Sequence, residues 1–395
     1  MRALRILYCT DTYPPQVNGV SVVTALSVDG MLSRGWECGV VCPAYPATWS
    51  DPFTNRGEYE AATQRTTLPS APLPIYPDIR LSLPIASRFS EAIRTLRPDI
   101  VHAETEFIIG RLGARAARRA SIPVVTSYHT DFGKYVEAYG LPSLRGPVTR
   151  SLAKFHSSAS RTYTPSAHAA LVLNEMGVNR VEVWGRGVDV DIFSPTHRRA
   201  ALREELGLGD AFTFLHVGRL AEEKGVEHIL SAFALLRDRV APRPVRLVIA
   251  GAGPRRDWLR ALATPDTVFL PHLDRTTRLP ALYASCDAFV FASVTETLGL
   301  VILEAMASGL PVIAAPAGGV KDSLRHHENG LAYAPGDARA FSWAMQRIAE
   351  DSTLRDRLAV GARRTAEARS WTHELDRLDD SYREIIDQAK QRLSA

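Results

Sequence analysis

Short apolar runs recur along the whole chain, each separated from the next by a longer stretch with helical spacing. In the first half the runs are LRILYC, ECGVVCP, DIVHAE and IPVVTSYH; in the second they are FTFLHVG, VRLVIAG, TVFLPHL, CDAFVFAS and LPVIAAP. Such continuous runs, rather than strict alternation, are what strands of a parallel sheet covered on both faces require. Between them lie amphipathic stretches such as SVVTALSVDGMLSRG and GVEHILSAFALLRDR. The βα alternation occurs twice, which predicts an α/β protein of two doubly wound, Rossmann-like domains. The segment GRGVDVDIFSPTHRRA, where Gly and Pro interrupt and no period holds, is the predicted boundary. It sets domains at 1–190 and 191–373, followed by a long closing helix over 374–395 in WTHELDRLDDSYREIIDQAKQRL. Ligands of open α/β sheets sit at the carboxyl ends of the strands, so two facing sheets predict a cleft.

Length agrees with this division, because 395 residues exceed one ordinary core. Hydrophobic residues make up 46% and charged ones 23%, the balance of a globular rather than a disordered chain. Cys9, Cys38, Cys42 and Cys286 show no metal-ligand spacing and read as reduced core thiols of a cytoplasmic protein. LRILYC is too short for a secretory signal, and AMASGLPVIAAPAGGV is broken by Pro and Gly, so no membrane span is expected. Residues 1–190 hold 20 Lys and Arg against 16 Asp and Glu, which accounts for the whole net charge of +4. This half suits an anionic acceptor or a peripheral encounter with the inner membrane face; a merely Arg-rich solvated surface is the plainer alternative. No basic run is interleaved with aromatics, so nucleic acid is not an expected partner.

The densest chemistry lies in TETLGLVILEAMASGLPV, where Glu296 and Glu304 are separated by seven residues. A strand, a turn and then a helix starting near Gly299 and ending at Gly309 before Pro311 are predicted. Glu296 then stands in the loop before the helix. The N–H groups of Gly299, Leu300 and Val301 become first-turn donors suited to an anion. Glu304, one to two turns further in, can accept from two vicinal hydroxyls. Phosphate donors, a ribose acceptor and a sugar-facing acid together fit a sugar nucleotide. The plainer alternative makes Glu296 a helix cap and Glu304 a paired residue at the solvent edge. In HVGRLAEEKG, Arg219 and Lys224 follow a strand, where two cations can neutralise a diphosphate and a departing one. Alternatively they pair with Glu222 and Glu223.

Taken in order, DTYPPQVNGVS, SYHTDF, GRGVDVDIF, VGRLAEEKG, IAGAGP and TETLGLVILEAMASGLPV resemble the family 4 retaining glycosyltransferases of the GT-B fold. That resemblance covers nearly the whole chain and implies a C-terminal helix that crosses back to the first domain. It implies a nucleotide-sugar donor bound by the second domain and an acceptor by the first. It further implies that the backbone at Gly19 approaches the donor diphosphate and that His129 contacts the donor sugar near the reacting centre. Arg219 and Lys224 match the family's diphosphate pair, Glu296 the carboxylate that contacts the transferred sugar, and Glu304 the one that binds ribose. The same resemblance implies front-face transfer with no cofactor and no metal. Asp189 and Asp191 spell D-x-D, but within an interdomain segment where a metal role is not expected. Gly251 and Gly253 lack the third glycine of a dinucleotide fingerprint and read as a turn. His326 and His327 read as surface residues.

PLPIYPDIRLSLP, SYHTDFGKYVEAYG and EVWGRGVD look most like two branches of the family. The expected activity is transfer of mannose from GDP-mannose to a lipid or glycan hydroxyl; the alternative is a UDP-sugar-dependent synthase of glycolipids such as sulfoquinovosyl diacylglycerol. A sugar-nucleotide 2-epimerase and a non-catalytic nucleotide-sugar-binding protein share the two-domain shape and are the more distant alternatives.

Overall fold

The computed structural model describes residues 2–16, 18–49, 57–73, 76–132, 142–237 and 244–394. Parts of PLPIYPDIRLSLP and SYHTDFGKYVEAYG lie outside them. The chain divides into two compact units. The first holds Met1–Thr130, Leu144–Gly185 and Thr372–Ala395, and the second Asp131–Ser143 and Arg186–Trp371.

In the first unit the strands are β1 (Arg5–Cys9), β2 (Glu37–Pro43), β3 (Gln64–Leu68), β4 (Ser70–Leu73), β5 (Tyr76–Ser82), β6 (Ile100–Ala103), β7 (Val124–Ser127), β8 (Arg161–Thr164) and β9 (Val181–Val183). Among the described residues, a parallel sheet runs β3-β2-β1-β6-β7-β8-β9, and β4 and β5 form an antiparallel pair. Every residue of β6 and β7 is buried, in accord with a sheet covered on both faces. The order reverses between β1 and β6, which leaves a crevice at the carboxyl ends of those strands.

The closing helix, Trp371–Ser394, packs on this unit. Trp36 Nε1 donates to Asp379 Oδ1 at 2.8 Å, and Tyr382, fully buried, has its hydroxyl 2.6 Å from His102 Nδ1. A Cβ on Gly30 would meet Leu375 Cδ1 at 2.5 Å, so glycine is what lets the two helices approach. The amphipathic period of the tail thus buries one stripe while its charged face stays outside.

The second unit contains β10 (Phe212–Val217), β11 (Val245–Ala250), β12 (Thr267–Leu270), β13 (Ala288–Phe291), β14 (Val312–Ala314) and β15 (Gly330–Ala332). They form a parallel sheet in the order β12-β11-β10-β13-β14-β15, with its reversal between β10 and β13. Alternate residues explain why the runs read as continuously apolar. Phe212, Phe214, Leu247 and Ile249 join the core under helices Val226–Arg237 and Ala338–Glu350. Leu215, Val217, Val248 and Ala250 join the opposite core, under helices Arg278–Ser285 and Leu300–Ala307. Each fully buried Leu or Phe contributes about 1.5–3 kcal/mol.

The unit boundary falls at Gly185 and Arg186, five residues before the sequence-based one. Hydrogen bonds hold the intervening segment to the second unit. Val188 N–H donates to the Arg369 carbonyl at 3.0 Å, and Arg363 Nη1 donates to the carbonyls of Val190 and Phe193.

Candidate active site

In the second unit, the predicted residues gather where the strand order reverses. β10 leads into Gly218 and Arg219, then through a short 3-10 turn, Glu222–Lys224, to the helix Val226–Arg237. β13 leads into the loop that carries Glu296 and on to the helix Leu300–Ala307. The Lys224 ammonium pairs with Glu296 Oε1, which ties these two loops together. Arg219 Nη2 lies 2.9 Å from Glu223 Oε1, so one of the alternative pairings forms.

The helix Leu300–Ala307 receives no side-chain hydrogen bond from its N-cap residue. Gly299 stands at its N-cap with φ +79°, a left-handed conformation that favours glycine. Leu300 and Val301 then occupy the first helical positions, whose N–H groups have no intrahelical acceptor. Gly309 ends the segment with φ +75°, as the sequence predicts. Glu304 faces inward, 2% exposed, rather than lying at a solvent edge. Its Oε1 pairs with Arg275, and its Oε2 accepts from the Tyr283 hydroxyl at 3.2 Å.

Two backbone supports hold this arrangement. The Gly319 N–H donates to the Glu296 carbonyl at 2.7 Å. A Cβ at Gly319 would meet the Thr297 carbonyl oxygen at 1.9 Å, so this loop rests directly on the Gly-Gly backbone. Likewise a Cβ at Gly251 would meet the Gly218 carbonyl oxygen at 1.9 Å, and Leu220 N–H donates to the Ala252 carbonyl at 2.8 Å. The G-A-G turn is therefore a seat for the Arg219 loop. Beneath it, His216 at the end of β10 is fully buried, with Nδ1 3.2 Å from the Val290 carbonyl. Burial pushes its pKa down to about 4, and the Lys224 ammonium acts in the same direction.

The first unit holds the other two predicted residues. Gly19 is the first residue of the helix Gly19–Ser33, whose capping box joins Asn18 and Ser21. A Cβ there would meet nothing within 4 Å, so the space above Gly19 is open. His129 follows β7, and its Nε2 lies 2.8 Å from Oε2 of Glu104, the residue that follows β6. Glu104 is completely buried, and its Oε1 is 3.4 Å from His102 Nδ1.

Residues 17–192 match the family described as Glycosyltransferase Family 4, and residues 198–365 match Glycosyl transferases group 1. A GDP-mannose-dependent alpha-mannosyltransferase of Mycobacterium tuberculosis is 33% identical over 98% of this chain and 98% of its own. The chain is a family 4 glycosyltransferase. A sulfoquinovosyl transferase of Arabidopsis thaliana, SQD2, is 32% identical over 76% of this chain and 60% of its own. Among solved structures, Anabaena Alr3699/HepE in complex with UDP and glucose matches with a TM-score of 0.73 over 99% of both chains. At 21% identity that likeness is one of fold, and the fold is GT-B.

Membership in the family sets aside the epimerase and the non-catalytic alternatives. In this glycosyltransferase the decoy residues have structural employment. Asp189 Oδ1 accepts from the N–H groups of Asp191 and Ile192 at 3.0 and 2.9 Å, which caps a turn. His326 Nδ1 accepts from Ala332 N–H at 3.0 Å on an exposed loop. Arg275, Tyr283, Glu104, His216 and the Gly318–Gly319 pair escaped sequence reasoning. For Glu104 the sequence offers no more than an acid directly after the apolar run of β6. The others touch the predicted residues only through tertiary contacts.

No helix among the described residues is long and apolar enough to cross a membrane.

Proposed function

We propose that the protein transfers mannose from GDP-mannose to a lipid or glycan hydroxyl with retention of anomeric configuration and without a metal ion. The observation that carries this is the meeting of Lys224, Glu296 and an uncapped helix start at the carboxyl ends of β10 and β13. A diphosphate placed there has a cation at hand, with N–H donors of Leu300 and Val301 on the same element and Arg219 on the loop of Lys224. Glu296 serves the hydroxyls of the transferred sugar, and Glu304, oriented by Arg275 and Tyr283, the ribose diol.

Retention follows from front-face chemistry. The bond between the anomeric carbon and the diphosphate oxygen breaks, and the acceptor oxygen attacks the same face. The acceptor's proton passes to the departing phosphate oxygen. Catalysis is then positioning plus electrostatic support of the leaving group.

Mannose and guanine are favoured by the mannosyltransferase relative, whose similarity runs the length of both chains. The SQD2 relative favours the second reading, a UDP-sugar-dependent glycolipid synthase, over a shorter span. The first unit receives the acceptor in this proposal. Its basic excess and the half-exposed Phe107 and Leu144 support peripheral contact with an anionic membrane face.

Thermal unfolding with GDP, UDP and ADP and their sugars tests the donor, because a bound ligand raises the unfolding temperature in proportion to its affinity. A shift with GDP and GDP-mannose alone is expected. A shift confined to UDP ligands transfers the assignment to the second reading. The anomeric configuration of the product tests retention.

A further inference from the structure

We propose that Glu104 is a positioning residue for His129, fixing the tautomer and ring orientation in which the histidine meets the donor sugar. The inference rests on the proposed function, together with the contact of His129 with the donor sugar that the family resemblance implies. β6 and β7 are paired with Ala103 opposite Thr126, so Glu104 and His129 emerge side by side at the carboxyl ends of adjacent strands. The Glu104 side chain is completely buried, and that of His129 is 7% exposed. Glu104 Oε2 lies 2.8 Å from His129 Nε2; an ionised Glu104 accepts there, which puts the ring proton on Nε2 and commits that edge of the ring to the carboxylate.

The carboxylate also lies close to a second histidine. Its Oε1 lies 3.4 Å from His102 Nδ1. His102 is fixed in turn through both ring nitrogens, to the Tyr382 hydroxyl at 2.6 Å and the Ser127 hydroxyl at 2.7 Å. Glu104 thus stands against a ring that is itself tied to the closing helix. Burying a carboxylate opposes folding, and an apolar residue of similar size would suit the fold better. Orientation of His129 gives the acid a reason to stand there.

The test compares Glu104→Gln, His129→Ala and the double variant in the full-length enzyme with GDP-mannose. Glu104→Gln keeps the shape and is expected to lower kcat at least about tenfold, with GDP affinity and thermal stability near wild type. Added to His129→Ala, it is expected to change kcat less than about twofold, because it acts only through the histidine. Near-normal kcat in Glu104→Gln beside a loss in His129→Ala overturns the inference alone, as do multiplicative losses in the double variant. Normal turnover in His129→Ala overturns the sugar contact itself, and the inference with it. Should Glu104→Gln fail to fold, the ring nitrogen shifts of His129 in the wild-type protein decide: a proton on Nε2 supports the proposal, and one on Nδ1 overturns it.

Discussion

The ammonium of Lys224 meets Oε1 of Glu296 across 72 residues of sequence, joining the loop after β10 to the loop after β13. The side chains are 19% and 16% exposed, so each charge is largely withdrawn from water and depends on the other. A partly exposed pair of this kind contributes little to stability. Its position at the start of the helix Leu300–Ala307 is the one that the proposed function assigns to the donor diphosphate. In the proposed reaction an arriving diphosphate would give Lys224 a further anionic partner and free Glu296 for the sugar.

Replacing either member therefore separates chemistry from fold. Lys224→Ala and Glu296→Gln are each expected to lower turnover on the order of 100-fold, the scale of one lost electrostatic support. Circular dichroism is expected to stay that of the wild type. Turnover near the wild-type rate in both variants would remove this pair from the site.

Two glycines give opposite expectations for the same alanine substitution. At Gly319 the new Cβ would fall 1.9 Å from the Thr297 carbonyl oxygen, so the Glu296 loop must move. Gly319→Ala is expected to cost about 1–3 kcal/mol of stability as overpacking and to lower activity with it. Gly19→Ala meets open space in the first turn of a helix, where alanine is the better helix former by up to about 1 kcal/mol. Its melting temperature is expected to hold or rise while the KM for the donor increases. A Gly19→Ala enzyme with unaltered donor KM would show that no diphosphate approaches that backbone.

These contrasts mark how far the sequence could be read. The strands of both sheet centres were legible because each buries both faces, which leaves an unbroken apolar run. β3, with QRTTL, β8, with RTYT, and β9 carry too many polar residues for that signal. The carboxylates and cations at strand ends were legible from their places before and after predicted elements. Their partners were not. Arg275 reaches Glu304 from 29 residues away and Glu104 reaches His129 from 25, by contacts that exist only once the sheet has formed.

Metal dependence offers a direct test of the leaving-group proposal. Arg219 and Lys224 supply positive charge, and Asp189 of the D-x-D triplet already accepts two backbone hydrogen bonds. Activity is expected to persist in excess EDTA. Loss of activity that added manganese restores would return a metal to the mechanism.

The buried His216 makes stability depend on pH in a window that can be worked out. Its pKa of about 4 lies below the ordinary 6.5, because burial disfavours the charged ring. The unfolded chain therefore binds the extra proton between those two values, and stability must rise with pH across that window. The contribution is fully present above about pH 6.5 and is lost as the pH falls toward 4, a change of up to about 3 kcal/mol. Other groups titrate in the same range, so the informative quantity is a difference between two proteins. His216→Phe keeps an aromatic ring beside Phe289 and Phe291 and removes the titration. Urea unfolding from pH 4 to pH 7 is expected to give a shallower slope for His216→Phe than for the wild type. Parallel slopes would mean that the wild-type histidine takes up its proton as readily in the folded protein as in the unfolded chain, and that the end of β10 tolerates a charge beneath Lys224.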